Sequence, residues 1–307
     1  MPIKHLVIAG GGPIGYQFLG VLEHLNEQNF WKFEDIESIY ATSIGTIIAT
    51  FICLKYDWQT INTYVIERPW NDVFKLNGKQ IFDAFYNKGL YDKKIIEITF
   101  KPLLEAKDLS LNITLKEFYE YSKIELHLYV FELNKFEVVD ISYKTHPDIS
   151  LIKAIFMSSS LPGVFAPTIL DDGCYIDGGV MANFPISYCL QDHPDPDEIL
   201  GVTFHRDYST SETYKNHIIK EESSVIDLSI GFFINAMNYI YKNLKEIRIK
   251  NQVECVSDDN FMTMDVIQKI LNSADIRRDW INKGINDGKR FLENLKEPCV
   301  KSLENRV

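Results

Sequence analysis
Short apolar runs alternate with stripes of helical spacing along most of this chain. Ile3 to Ala9 is a run of strand length that breaks into Gly10-Gly11-Gly12-Pro13-Ile14-Gly15. Phe18, Leu19, Leu22 and Leu25 then mark one face of a helix starting near Tyr16. A second run, Glu37 to Ala41, ends in Thr42-Ser43-Ile44-Gly45 and passes into an apolar helical stretch, Thr46 to Ile52. Trp58 to Ile66 reads as a helix stopped near Pro69, and Asp92 to Leu104 as another. Thr114-Leu115-Lys116-Glu117 has capping-box spacing. Glu125 to Phe131, Lys135 to Ile141 and Glu198 to Phe204 read as strands; Asp148 to Ser158 and Ile186 to Leu190 read as helices.

Arg206 to Ser224 is polar and reads as a linker or loop. Beyond it, Ile226, Ile230, Phe233, Met237, Ile240 and Leu244 form one helical stripe. Asp227, Asn235, Asn238 and Lys242 interrupt it, which predicts a core-packing helix rather than a membrane span. Trp280, Gly284, Gly288, Phe291 and Leu295 make a second stripe, whose glycines allow close packing. The alternation predicts an α/β fold, with a largely parallel central sheet flanked by helices. The expected organisation is a main domain over 4–205, a linker over 206–224 and a helical C-terminal extension over 225–307 on the same domain.

Composition changes this picture little. The chain has 307 residues, 46% hydrophobic and 24% charged, as in an ordinary globular protein. Its net charge of −11 argues against nucleic acid as a partner and against purely electrostatic attachment to anionic lipid. The first strand starts almost at Met1, so no signal peptide is expected. Cys53, Cys174, Cys189, Cys255 and Cys299 are odd in number and widely spaced. They form neither a disulfide framework nor a metal motif, so an intracellular, cytoplasmic setting is expected, with at most peripheral membrane contact. Nothing in the sequence fixes the oligomeric state.

The chemistry concentrates at two strand ends. A glycine loop opening a helix exposes backbone N–H groups to an anion. Gly10-x-Gly12-x-x-Gly15 fits a dinucleotide-binding fingerprint, which also wants an acid at the tip of the second strand. Glu34, Asp35 and Glu37 stand at the wrong end of that strand, and its tip carries Ser43 instead. Ser43 lies on a strand-to-helix turn with small residues two before and two after, Ala41 and Gly45. That is a near match to the G-x-S-x-G elbow of serine nucleophiles, and equally the position of a plain helix cap. The candidate base is Asp177, in Asp177-Gly178-Gly179, which also fits a simple turn.

Together these stretches resemble the patatin-like phospholipases. The glycine loop, the elbow and the D-G-G turn followed by Asn183-Phe184-Pro185 occur in that family's order. Gly89-Leu90-Tyr91-Asp92 and the block Ser158 to Pro167, with its S-x-x-P-x-x-F-x-P pattern, agree. The resemblance covers about residues 4 to 190. It implies a three-layer patatin-like fold and a lipid acyl hydrolase with a Ser-Asp dyad. Ser43 would attack an ester carbonyl and Asp177 would take its proton. The glycine loop, Gly10, Gly11, Gly12 and Gly15, with Ile44, would form the oxyanion hole. Gly178 and Gly179 would shape the aspartate turn. The partner would be a lipid substrate, a phospholipid or other glycerolipid, met through transient membrane-surface contact. No metal or organic cofactor is needed.

Two departures stand out. Ile14 occupies a place where the family usually carries Arg or Lys, which predicts a looser oxyanion loop, and Ala41 replaces the first elbow glycine. They leave open a lipid-binding member without turnover and, third, a dinucleotide-binding protein. A Ser-His-Asp triad is available in order through His193, His205 or His217. No histidine sits in a glycine-flanked turn, so the dyad is favoured. Phe82 and Phe85 are expected to pack over the sheet or to line or cover an acyl pocket.

Overall fold
The computed structural model describes residues 1–204, 219–221, 223–243, 247–256 and 264–296. Its strands are β1 (His5–Ile8), β2 (Ser38–Thr42), β3 (Gly89–Tyr91), β4 (Glu125–Glu132), β5 (Glu137–Ile141), β6 (Gly163–Phe165), β7 (Thr168–Leu170), β8 (Gly173–Asp177), β9 (Ile199–Phe204) and β10 (Gln252–Cys255). The helices are α1 (Gly15–Glu27), α2 (Ile44–Cys53), α3 (Trp58–Glu67), α4 (Trp70–Val73), α5 (Gly78–Asn87), α6 (Lys94–Glu105), α7 (Leu115–Ser122), α8 (Leu151–Ser158), α9 (Gly179–Ala182), α10 (Ile186–Asp192), α11 (Val225–Asn243), α12 (Met264–Asn272) and α13 (Ala274–Lys296). Most of the predicted linker, 206–218, lies outside the described residues.

The central sheet runs β10-β9-β1-β2-β4-β8-β7, with β5 also on β4. It is parallel from β10 to β4. Beyond β4 the pairing turns antiparallel, because β5 returns directly from β4 and β8 comes back from past its end. A separate ribbon pairs β3 with β6. Leu6, Ile8, Ile39, Ala41, Leu128 and Val130 face the main core, under α1, α2, α6 and α8. Val7, Tyr40 and Tyr129 face the other way, under α9 and α10. The strict two-residue alternation of a strand thus sorts each run between two helical layers.

The C-terminal part supplies more than helices. β10 extends the sheet beyond β9, with Gln252 opposite Gly201 and Cys255 opposite Phe204. The glycines of the second stripe do pack closely. A Cβ at Gly284 would overlap the Gln17 carbonyl, and one at Gly20 would overlap the Ile281 carbonyl. α13 therefore lies backbone to backbone on α1. Arg277, only 3% exposed, donates to the carbonyls of Ile66 at 2.9 Å, Ile270 at 2.6 Å and Leu271 at 3.1 Å. It closes the last turns of α3 and α12, where unpaired carbonyls and the helix dipole favour a cation. Among the described residues no helix is long and apolar enough to cross a membrane.

Candidate active site
β1 and β2 are parallel neighbours, so their C-terminal ends open side by side, where α/β sheets bind ligands. The glycine loop follows β1 and Ser43 follows β2. Ser43 has φ 54° and ψ −124°, a conformation L-residues avoid, and its side chain caps nothing in α2. That separates an elbow from a plain N-cap. The turn is tight because Gly45 sits against β1: a Cβ there would stand 2.5 Å from the Ile8 carbonyl oxygen and 2.8 Å from that of Ala9. Ala41 is fully buried in the main core, so its methyl is accommodated without widening the turn.

Asp177 reaches the same level from the other side of β4. Thr42 pairs with Tyr129, and Val130, the next residue, pairs with Asp177. The Asp177 carboxylate lies near Ser43, which favours its charged form, and Gly179 N–H donates to its Oδ1 at 2.7 Å. The residue is 4% exposed, and burial pushes its pKa from 3.8 up to about 6 against the pull of Ser43 and Gly179. Gly178 allows this approach, since a Cβ there would overlap the Tyr129 carbonyl.

The two halves are tied together by residues whose roles the sequence did not reveal. Ser158 Oγ accepts from Ser43 N–H at 3.0 Å and donates to the Tyr129 carbonyl at 2.6 Å. Asp177 N–H donates to the Ser160 carbonyl at 3.0 Å. Gly10 N–H donates to the Asn183 carbonyl at 2.9 Å, and Asn183 Nδ2 donates back to the Gly10 carbonyl at 3.2 Å. The motif order brought Ser158, Ser160 and Asn183 into view, but only the fold shows what they hold.

Gly12 has φ 54°, and the N–H groups of Gly11, Gly12 and Ile44 have no acceptor among the described residues. Gly15 sits against Ile44, where a Cβ would overlap its side chain. Ile14 corrects the expectation of a loosened loop. It is fully buried, and its Cγ2 fills the space a Cβ on Gly11 would need. Apolar packing below and the Asn183 bonds beside it hold the loop without a cation.

A cavity of about 640 Å³ opens onto these groups, within the range of small-molecule sites. Ser43, Asp177, Gly11 and Gly12 are part of its wall. The rest is dominated by apolar side chains, including Phe51 of α2, Trp70 and Phe74, Tyr91, Phe165, Met237 of α11 and Ile270 of α12. Phe82 and Phe85 are not in that wall. Both are 82% exposed, a correction to their expected place: the apolar face of α5 turns outward. α11 does pack on the core side through Ile230, Phe233, Ile234 and Met237.

His193 does not reach the site. It stacks on His5 at 3.6 Å, at the opposite ends of the strands, and its Nε2 lies 3.4 Å from Ser38 Oγ. His205 and His217 lie outside the described residues. Cys174 is half-buried, outside the cavity wall, and its N–H is held by Glu132 at 2.9 Å. Cys53, Cys174, Cys189 and Cys255 are free thiols, and Cys299 lies outside the described residues. No cluster that could hold a metal occurs among the described residues.

Known proteins resemble the chain over most of its length. Protein R571 of Acanthamoeba polyphaga mimivirus is 27% identical over 241 residues, 78% of each chain. The probable lipid hydrolase 463L of Invertebrate iridescent virus 6 is 27% identical over 222 residues, 70% of this chain and 73% of that one. Among solved structures, VipD from Legionella pneumophila shares the fold with a TM-score of 0.53 at 16% identity, over 95% of this chain and 67% of its own. The sequence model of the patatin-like phospholipases matches residues 6–190, the span that carries the loop, the elbow and the Asp177 turn, and the chain belongs to that family.

Proposed function
We propose that this protein is a serine-type lipid acyl hydrolase that cleaves ester-linked fatty acids of phospholipids or other glycerolipids. The observation that carries this reading is a strained serine beside a buried carboxylate in the wall of one apolar cavity. Family membership and a relative described as a probable lipid hydrolase support it.

Ser43 Oγ attacks the ester carbonyl as Asp177 accepts its proton. The carbonyl oxygen becomes an oxyanion facing the N–H groups of Gly11, Gly12 and Ile44, each such donor being worth roughly 3–4 kcal/mol. Collapse of this intermediate expels the alcohol, which takes the proton back from Asp177. Water, deprotonated by the same carboxylate, then clears the acyl group from Ser43 and restores the serine. A free aspartate is a weak base, but one raised to about 6 is matched far better to neutral pH. Gly179 N–H fixes one carboxylate oxygen, so the other lone pairs are aimed rather than free to rotate.

A fluorophosphonate probe tests the reading directly. Wild-type protein should be modified at Ser43, located by mass spectrometry; Ser43→Ala should not react, and Asp177→Asn should react far more slowly. Folded protein that never reacts would leave lipid binding without turnover as the function.

A further inference from the structure
Helix α5 stands apart from the rest of the molecule. Phe82, Phe85 and Tyr86 lie one turn apart and are 82%, 82% and 86% exposed. None of its side chains with described placement is buried. Yet both ends are firmly specified. Asn77 and Gln80 form a reciprocal capping box at 3.0 and 2.9 Å, and Lys88 ends the helix at φ 64°. A helix of 10 residues is marginal in water without a packed face. Three large aromatics on one side of it form a contact surface, not scattered exposure.

The charge around this face runs against that of the chain. The protein carries −11, but the segment from Lys75 to Lys88 has three lysines and one aspartate. Lys75, Lys79 and Lys88 are exposed, and Lys88 Nζ reaches the Tyr86 carbonyl at 3.3 Å rather than a carboxylate. Aromatics on one side with lysines at the flanks is the pattern of a helix lying in a lipid interface. The chain on both sides of the helix enters the cavity wall, at Leu76 and at Leu90. β3 leaves α5 directly and places Leu90 and Tyr91 in the cavity wall, and β6 beside it adds Val164 and Phe165. A second copy of the chain fits less well, because like-charged flanks would meet across the contact.

We propose that α5 docks the protein on an anionic lipid surface, with its aromatic ring face in the interface, its lysines at headgroup level and the cavity mouth beside it. The presentation of acyl chains to Ser43 rests on the hydrolase reading; the docking itself is measured without turnover.

The test is co-sedimentation with phosphatidylcholine vesicles containing one-third phosphatidylglycerol, against vesicles of phosphatidylcholine alone. Wild type and Ser43→Ala should bind the anionic vesicles equally and the neutral ones weakly. The triple variant Phe82→Ser/Phe85→Ser/Tyr86→Ser should lose at least about thirtyfold in affinity. It should keep its melting temperature and its hydrolysis of a soluble short-chain ester. Replacing Lys75, Lys79 and Lys88 by Gln should cost about fivefold per lysine, and salt should weaken wild-type binding. Unchanged vesicle binding in the folded aromatic variant would overturn the proposal. So would equal affinity for neutral vesicles, or a wild-type dimer in sedimentation velocity that the aromatic variant abolishes. Vesicle binding with no ester hydrolysis by wild type would support the docking and refute the hydrolase reading.

Discussion
The two ends of the parallel strands β1, β2 and β4 carry polar clusters, each completed from neighbouring elements: β5 and α10 at one end, β8 at the other. At the N-terminal end, His5 Nδ1 meets Ser38 Oγ at 2.8 Å, His193 stacks on His5, and Tyr40 donates to Asp192 at 2.7 Å. Tyr40 also stacks on His127, whose Nδ1 lies 2.8 Å from Asp140. At the C-terminal end, one serine lies near one carboxylate, and the N–H groups of Gly11, Gly12 and Ile44, all in the cavity wall, have no acceptors among the described residues. A serine and a histidine in contact would attract notice as chemistry in many proteins. Here that pair belongs to the closed end, where ring stacking and α10 cover the groups. The two clusters differ in strain, open donors and an adjoining cavity rather than in residue type, and the proposed reactivity rests on that difference.

Asp177→Asn breaks the comparison most sharply. It should lower turnover by about 10²–10⁴, the usual worth of general-base help, read as kcat/KM on a soluble ester. In wild type, kcat/KM should fall on the acid side with an apparent pKa near 6. The same variant should be more stable at neutral pH. The carboxyl titrates near 3.8 unfolded and about 6 folded, so the folded state holds the proton more tightly. Its contribution to stability is greatest in acid and declines as pH rises from about 4 to 6, after which the buried charge costs about 3 kcal/mol. Chemical denaturation at pH 7 should recover up to that amount; a destabilised Asp177→Asn would contradict it.

The closed end should behave in the opposite sense. Burial, and then the neighbouring His193, hold His5 at about 4 against 6.5 in the unfolded chain. Stability from neutral His5 is present near pH 7 and is lost as pH falls from 6.5 toward 4. In wild type this loss is partly masked by the gain from Asp177 over the same window. Denaturation of Asp177→Asn from pH 7 to 4.5 should therefore show a steeper acid loss than wild type, and His5→Phe a flatter one, with ester hydrolysis preserved in the latter. The smallest effect belongs to His205→Ala. A Ser-Asp dyad would need no imidazole, so on that reading activity should change less than about twofold, whereas loss of a histidine base would cost about 10²-fold or more.

Much of the open end was legible because its chemistry is local. A glycine loop after a strand, a serine between small residues and an aspartate before two glycines each span a few consecutive positions. What the sequence hid depends on distant partners. β10 is four residues with no strong pattern, and it exists because β9 offers a free edge. The ribbon of β3 and β6 has three residues per strand. Ile14 reads as a missing cation, yet its buried packing under Gly11 appears only once α1 is in place. Phe82 and Phe85 show the limit of hydrophobicity as a guide, since apolar spacing defines a face but not whether protein covers it.

The glycine contact between α1 and α13 sets an order of assembly. The glycine loop opens α1, and the surface that α1 leaves bare at Gln17 and Gly20 is covered by Ile281 and Gly284, near the far end of the described chain. Contacts so distant in sequence form late. During synthesis the strained serine and its carboxylate are therefore present before the helix that follows the glycine loop is clamped. The proposed hydrolytic site would be completed as a finishing step, and a chain ended before Ala274 should lose probe labelling at Ser43 even if it retains the sheet.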